Sequence, residues 1–161
     1  MATRKSGIEI TTRATELIEL LKLRAHPEGG YYREIFRSSR TVVRDADGKR
    51  RTALTSIYFL LTKGNASAWH RVEADETWHF YEGAPLELEC SGPPGAHIHL
   101  LGPVSEQMVP VTVIPAGCWQ RARTQGEYTL VGCTVGPGFE FDDFTLEDPP
   151  EISPGILPGR V

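Results

Sequence analysis

The sequence has few of the residues from which metal frameworks and disulfide scaffolds are built. Its 161 residues include five histidines and three cysteines. Cys90, Cys118 and Cys133 are odd in number and contain no CxxC pair, which excludes a readable disulfide framework or zinc knuckle. Each lies in or beside an apolar run, where a free thiol packs as a small hydrophobic group. We therefore interpret the three cysteines as packing residues and expect no catalytic thiol.

Long apolar runs and a basic stripe are also missing. No segment approaches the ~20 consecutive apolar residues of a membrane-spanning helix, and the first ten residues lack the apolar core of a secretory signal. The formal net charge is −4, with Lys and Arg scattered along the chain, which argues against nucleic acid as a partner. With 40% hydrophobic and 24% charged residues, the composition is typical of a soluble globular protein. We expect a cytoplasmic protein that binds neither membranes nor nucleic acids.

The pattern of apolar residues predicts one helix followed by many strands. In the segment 11–23, the residues Ala14, Leu17, Ile18 and Leu21 follow the spacing of one buried helical stripe. Beyond it, short apolar and β-branched runs alternate with turn residues, as in a β-sandwich or barrel. The predicted strands cover residues 31–38, 52–62, 66–72, 77–81, 86–90, 97–101, 108–114, 120–124 and 128–135, with a turn at 45–49. We divide the chain into an N-terminal tail (1–10), one domain (11–146) and an acidic, proline-rich tail (147–161).

The most informative segment spans residues 64–83. His70 follows Gly64 after five residues, Glu76 comes six residues after His70, and Gly83 comes seven after Glu76. We expect His70 to end one strand and Glu76 to begin the next, so that imidazole and carboxylate converge across the strand pair. Alternation places Trp78 and Phe80 on the same face as Glu76. Because such a pair is costly inside an apolar barrel without a partner, the segment predicts a bound metal ion or polar ligand.

A second segment strengthens this prediction. Pro115 and Gly117 form a tight turn at the end of an apolar strand, and Gln120 enters the next strand pointing inward. Together the two segments resemble the paired motifs of the cupin superfamily. The wider chain, from about residue 8 to 146, is similar to the small, uncharacterised single-domain branch called cupin-five. The segments that carry this resemblance are 20–23, 26–34, 75–86, 115–120 and 132–139.

The resemblance implies an all-β fold, the double-stranded β-helix or jelly-roll cupin barrel, with one N-terminal α-helix and assembly as a homodimer. It also implies a metal site made by two His and one Glu from the first motif and one His from the second. His70 and Glu76 match, but Val72 and Gln120 stand where the other two histidines are expected. Two alternatives stay open. Either His70, Glu76 and Gln120 hold a divalent metal (Fe, Mn, Ni or Zn), or the same residues bind a ligand in a metal-free cavity.

The remaining candidates depend on which face of a strand lines the cavity. Alternation puts Tyr31 and Arg33 on one face of the strand that begins at Tyr31 and their neighbours on the other, and the sequence does not assign the faces. Tyr31 and Arg33 are candidates for proton transfer and substrate orientation, and Arg71 is a second orienting residue. By contrast, we expect His97 and His99 to face solvent, because the residues between and after them are apolar.

The leading functional hypothesis is a small-molecule enzyme of the isomerase, epimerase or lyase type, acting on a polar, sugar-like or acidic metabolite. Resemblance to the metal-free sugar-nucleotide 3,5-epimerases of the same superfamily favours it. The alternatives are a metal-dependent enzyme such as a dioxygenase, and a non-enzymatic ligand-binding or storage module. The catalytic candidates are His70, Glu76, Tyr31 and Arg33, and the substrate-binding candidates are Arg71, Trp78, Phe80 and Gln120.

Overall fold

The computed structural model describes residues 12–93, 95–146 and 157–158. Its elements, in chain order, are α1 (Arg13–Leu21), β1 (Arg24–Ala25), β2 (Tyr31–Arg37), β3 (Thr41–Val43), β4 (Arg50–Thr52), β5 (Thr55–Thr62), β6 (His70–Val72), β7 (Asp75–Gly83), β8 (Leu86–Gly92), β9 (Gly95–Leu101), β10 (Val111–Ile114), β11 (Trp119–Thr124), β12 (Tyr128–Gly136), a 3-10 turn (Phe141–Asp143), β13 (Phe144–Leu146) and β14 (Leu157–Pro158). Every predicted strand has an observed counterpart. The predicted strand 66–72 is reduced to β6, because the Ala68 backbone N–H donates to the Glu28 carbonyl at 2.6 Å and not to a neighbouring strand.

Two six-stranded sheets form the barrel. The first has the order β1-β2-β5-β12-β7-β10, and the second has the order β13-β6-β11-β8-β9-β14. All pairs are antiparallel except β14 with β9. The strands β3 and β4 form a separate hairpin around the predicted turn at 45–49.

The sequence motif that contains His70 and Glu76 crosses from one sheet to the other. The expectation that the two residues lie on paired strands is wrong: β6 pairs with β11 and β13, whereas β7 pairs with β12 and β10. The short turn at Glu73 and Ala74 links the two sheets. Alternation along a strand fixes which residues share a face, but it carries no information about which strand lies alongside. His70 and Glu76 therefore face each other's sheet across the barrel interior.

The apolar strand β5 is buried on both sides, which accounts for its continuous hydrophobic run. Phe59 and Leu61 point into the barrel, where they join a core built from both sheets. Leu60 points outward and packs with Leu17 of the helix. The predicted helical stripe is confirmed, since Leu17 is buried and its three stripe neighbours pack against the same cluster. Thr12 caps the helix by accepting from the Thr15 backbone N–H at 3.2 Å.

A segment after β12, residues 139–146, closes one side of the barrel, and we call it the closing segment. Its buried Asp143 is paired with Arg44 at 2.9 Å and with Arg51 at 2.8 Å, both from the β3–β4 region. Arg37 of β2 also donates to the Phe139 carbonyl oxygen at 3.0 Å. These bonds tie the closing segment to the rest of the domain.

The predicted N-terminal tail and most of the predicted C-terminal tail lie outside the described residues. Within the described part of the chain, no helix has the length and apolar character needed to cross a membrane.

Candidate functional site

A cavity lies inside the barrel beneath the closing segment. The space open to the centres of water molecules is about 40 Å³, enough for about three waters. Its wall combines titratable and polar groups with aliphatic and aromatic ones, and none of the described residues in it is a lysine or an arginine. The lining residues are His26, Glu28, Glu34, Thr55, Ile57, Phe59, His70, Val72, Glu76, Cys133, Val135, Phe139 and Phe144.

His70 and Glu28 form a buried pair at hydrogen-bond distance. The Nδ1 atom of His70 lies 2.8 Å from the Ala68 carbonyl oxygen, which can only accept, so Nδ1 carries a hydrogen. The other ring nitrogen, Nε2, lies 3.1 Å from Oε2 of Glu28. Burial lowers the pKa of His70 to about 4. Burial, reinforced by the charge of Glu76, raises the pKa of Glu28 well above its usual value. Both shifts favour the uncharged forms, in which the Glu28 carboxylic acid donates to Nε2 of His70.

The loop between β1 and β2 brings Glu28 to this position. Gly29 and Gly30 have φ angles of 100° and 75°, a region that side chains with a Cβ rarely adopt. A Cβ on Gly30 would lie 2.8 Å from the Leu60 carbonyl oxygen, so only glycine allows the loop to come this close to the sheet. The Glu28 N–H donates to Nδ1 of His26 at 3.1 Å. Burial, followed by the effect of His70, lowers the pKa of His26 to about 4.

Sequence reasoning did not select Glu28 and His26 as site residues. The available signal was the position of a carboxylate directly before two glycines, in a segment with no evident structural need for it. Pattern alone could not show that the loop folds back into the barrel.

The second carboxyl group of the cavity, Glu76, is held by a side chain from the opposite sheet. Gln120 donates from Nε2 to Oε2 of Glu76 at 2.5 Å, and its Oε1 accepts from the Trp78 indole N–H at 2.9 Å. Burial raises the pKa of Glu76 to about 7, while hydrogen bonds from Gln120 and from the Cys133 thiol oppose that rise. Glu28 and Glu76, two of the three glutamates that line the cavity, thus have raised pKa values.

The donors present do not fit a metal ion. The predicted ligand set was His70, Glu76 and Gln120, but Gln120 turns its N–H toward Glu76, and Trp78 occupies its oxygen. Nε2 of His70 faces the Glu28 carboxyl group. Among the described residues, no group of three or more His, Cys, Asp or Glu is arranged to hold a metal ion. In this arrangement His70, Glu76 and Gln120 serve as hydrogen-bond partners of neighbouring side chains.

The face of β2 that carries the candidates Tyr31 and Arg33, which the sequence left unassigned, is turned away from the cavity. Tyr31 packs with the cluster beneath the helix, and Arg33 donates to the Leu21 carbonyl oxygen at the helix end, 3.3 Å away. The other face of β2 points inward, where Glu34 lines the cavity and Tyr32 packs edge-on against the imidazole of His26. The predicted alternation of side chains along β2 is confirmed, with Tyr31 and Arg33 on one face and Tyr32 and Glu34 on the other. The helix, by covering the outer face of the sheet, decided which set of residues faces in.

The other predicted contacts lie away from the cavity wall. Trp78 and Phe80 pack in or against the main core, further along β7 than Glu76. Arg71 alternates away from His70, and its guanidinium group lies 5.2 Å from the centre of the Trp119 ring. The cavity is not lined by Arg71, Trp78 or Phe80.

The expectation for His97 and His99 is also wrong. In the β8–β9 register, His97 lies opposite Cys90 and His99 opposite Leu88, and directly opposed residues share a face. Both histidines are therefore on the inner face, half-buried, and Nε2 of His99 lies 3.6 Å from Sγ of Cys90. The apolar residues between them were a poor guide because β9 lies near the sheet edge, where both faces are half-buried.

The two antiparallel sheets, closed into a barrel with a polar interior cavity, define a double-stranded β-helix of the jelly-roll type. The family model described as Cupin superfamily (DUF985) matches residues 15–147. The chain therefore belongs to this family of the cupin superfamily.

Similar solved structures agree with the family assignment. A hypothetical protein from Leishmania major is 35% identical with a TM-score of 0.78, over 83% of this chain and 86% of that one. A protein from Shewanella oneidensis is 37% identical with a TM-score of 0.75, over 84% and 85%. Oxalate decarboxylase from Bacillus subtilis shares the fold at 17% identity and a TM-score of 0.56, over 76% of this chain and 29% of that one. A search of curated proteins found no match.

Proposed function

We propose that this cupin binds a small polar metabolite in the barrel cavity and moves protons on it, as an isomerase, epimerase or lyase does. The observation that carries the proposal is the close pair of His70 and Glu28, whose Nε2 and Oε2 atoms lie 3.1 Å apart, buried in the same small cavity as the carboxyl group of Glu76. Groups with such perturbed pKa values cluster at functional sites.

The two carboxyl groups suit opposite halves of a proton transfer. Burial and the charge of Glu76 raise the pKa of Glu28, which favours its carboxylic acid form, and that form can donate a proton. Glu76, with a pKa of about 7, exchanges its proton near the working pH, as an efficient general base does. In the proposed step, the Glu76 carboxylate takes a proton from the carbon beside a carbonyl group. Glu28 gives its proton to the carbonyl oxygen, and His70 accepts the hydrogen bond that Glu28 offers when the proton returns.

The wall of the cavity favours an uncharged substrate over an acidic one. None of the described residues that line it is a lysine or an arginine, so a carboxylate ligand would meet three glutamates and no compensating cation among these residues, at a high desolvation cost. The volume of about 40 Å³ accommodates about three water-sized groups. Of the two substrate classes that the sequence left open, the sugar-like one fits better, with a short hydroxy-carbonyl portion inside the cavity.

Proton exchange with solvent tests the proposal without knowledge of the product. Short aldoses, ketoses and hydroxy-ketones are incubated with the protein in D2O, and loss of the C–H signal beside the carbonyl group is followed by NMR. We expect exchange with wild-type protein and a loss of about 100-fold or more in Glu76→Gln, the typical contribution of a general base. We also expect a loss in His70→Ala, because it removes the hydrogen-bond acceptor of Glu28. Glu106→Gln, a change at an exposed loop residue, is the matched control and should exchange like wild type.

Two outcomes would contradict the proposal. Exchange that persists within twofold in both His70→Ala and Glu76→Gln would remove the assigned roles. Binding without exchange, for every compound that binds, would instead favour the ligand-binding or storage module.

We also propose that the protein assembles as a homodimer, as the family resemblance implies. Tyr81, Val111 and Val113 are about half exposed on the outer face of the first sheet, beyond the helix. Size-exclusion chromatography with light scattering tests it, and a monomer at micromolar concentration would contradict it.

A further inference from the structure

Three buried side chains form a hydrogen-bond chain that crosses the barrel. Trp78 and Glu76 are two residues apart on β7 and therefore share a face, and Gln120 reaches them from β11 of the other sheet. The distances are 2.9 Å from the indole N–H to Oε1 of Gln120 and 2.5 Å from its Nε2 to Oε2 of Glu76. Trp78 and Gln120 are each 1% exposed, and Glu76 is 7% exposed. Strand β7 thus provides the hydrogen-bond partners of both the oxygen and the NH2 group of the Gln120 amide.

The chemistry of the two partners fixes the orientation of the amide. An indole N–H can only donate, and an ionised carboxylate can only accept. Gln120 must therefore turn its oxygen to Trp78 and its NH2 group to Glu76. A flipped amide would place N–H against N–H and oxygen against carboxylate, which would leave buried polar groups unpaired at a cost of about 1–3 kcal/mol each.

We infer that Trp78 and Gln120 are positioning residues. Trp78 orients the Gln120 amide so that Gln120 donates a hydrogen bond to Glu76 and does not act as a metal ligand. Metal ions need the amide oxygen, since the NH2 group has no lone pair available for coordination. Trp78 holds that oxygen on the far side from Glu76. The inference goes beyond the proposed function, because it would hold equally if the cavity only bound a ligand.

The first test is a spectroscopic signature of the amide. The chain has three glutamines, Gln107, Gln120 and Gln125, so protein labelled with 15N-glutamine gives three side-chain NH2 pairs, and Gln120→Met assigns one of them. We expect the Gln120 pair to have one proton well downfield of the other two glutamines and slow to exchange, because its bond to Glu76 is short. In Trp78→Phe this proton should move upfield and exchange faster.

The matched control is Trp119→Phe. Trp119 precedes Gln120, but its ring stacks on Arg71 on the outer side of the sheet. This variant should leave the Gln120 signal in place. A Gln120 signal that is unchanged in Trp78→Phe would overturn the inference, since a Trp78 that only fills space would give that result.

The second test measures metal content, and it needs no substrate. Wild-type protein expressed with Mn, Fe, Ni and Zn should contain less than about a tenth of an equivalent of any of them, because the ligand set is incomplete. Trp78→Phe frees the amide oxygen, and Gln120→Glu supplies a carboxylate oxygen while still accepting from Trp78. We expect both variants to bind Mn or Ni at least about tenfold more tightly than wild type, the size of effect that outer-shell partners have on metal sites.

Wild-type protein with a full equivalent of metal that Gln120→Met removes would refute the inference. If Trp78→Phe fails to fold by circular dichroism, the wild-type amide signal and the metal affinity of Gln120→Glu decide the matter. The exchange assay of the proposed function is separate. The exchange assay can fail while the amide signal and the metal affinities come out as expected. The proposed function and the positioning role of Trp78 and Gln120 can therefore be refuted separately.

Discussion

Replacing Glu76 by glutamine should change how the stability of the protein depends on pH. The side chain is 7% exposed, and its pKa rises from 4.5 to about 7 on folding. Glutamine has nearly the same shape, accepts the hydrogen bond from Gln120 through its own amide oxygen, and does not titrate. The substitution therefore isolates the free energy of ionising this one carboxyl group.

The sign follows from proton binding. A carboxyl group with a raised pKa binds more protons in the folded state than in the unfolded state, so stability is greatest below about pH 4.5 and is lost as the pH rises to about 7. With the two pKa values of Glu76, the loss is about 0.8 kcal/mol at pH 5 and about 3.4 kcal/mol at pH 8. Relative to wild type, Glu76→Gln should therefore be more stable at pH 8 than at pH 5 by about 2.5 kcal/mol.

Urea denaturation at both pH values measures this difference. A change of that size moves the midpoint by about 1 M urea for a domain of this size. His26 and His70 work in the opposite direction, since their lowered pKa values of about 4 remove stability as the pH falls from 6.5 toward 4. They are the same in both proteins and cancel in the comparison.

Glu106→Gln controls for the loss of one negative charge, because Glu106 lies in an exposed loop. It should shift the midpoint equally at both pH values. If Glu76→Gln also shifts the midpoint equally, within about 0.5 kcal/mol, which is the usual effect of a surface change, the raised pKa of Glu76 and the acid–base role built on it are refuted.

Two further substitutions test what holds the cavity closed. Asp143→Asn removes the buried carboxylate that pairs with both Arg44 and Arg51, and it leaves Asp47 as the remaining carboxylate partner of Arg44. It should lower the free energy of unfolding by about 3 kcal/mol, whereas Lys63→Met, which breaks an exposed pair, should cost under about 1 kcal/mol. Equal midpoints for these two variants in urea would contradict the structural role of the buried pair. Gly30→Ala should cost more stability than Gly48→Ala, because both have positive φ but only the Cβ at Gly30 meets backbone, at 2.8 Å. Thermal unfolding compares them, and a larger loss at Gly48 would show that the loop before β2 does not approach the sheet as described.

Much of the fold was predictable because it depends on local pattern. The stripe of apolar residues in α1 and the alternation along β7 and β11 are properties of neighbouring residues, and the structure confirms them. The motif spacing likewise predicted that His70, Glu76 and Gln120 are buried together. What pattern could not give was the pairing of strands, so β6 and β7 were expected to be neighbours and are instead in different sheets.

The sequence by itself determined which residues the barrel turns inward along most strands, because side-chain alternation and helical periodicity are fixed by backbone geometry. It also determined that two of the three expected histidines are replaced, by Val72 and Gln120. Only the tertiary structure decided what stands in their place. It brought Glu28 from a distant glycine-rich loop to His70, and it let Trp78 orient Gln120 as a donor. These contacts join residues more than 40 positions apart, and their geometry is set by how two sheets pack and not by any local rule.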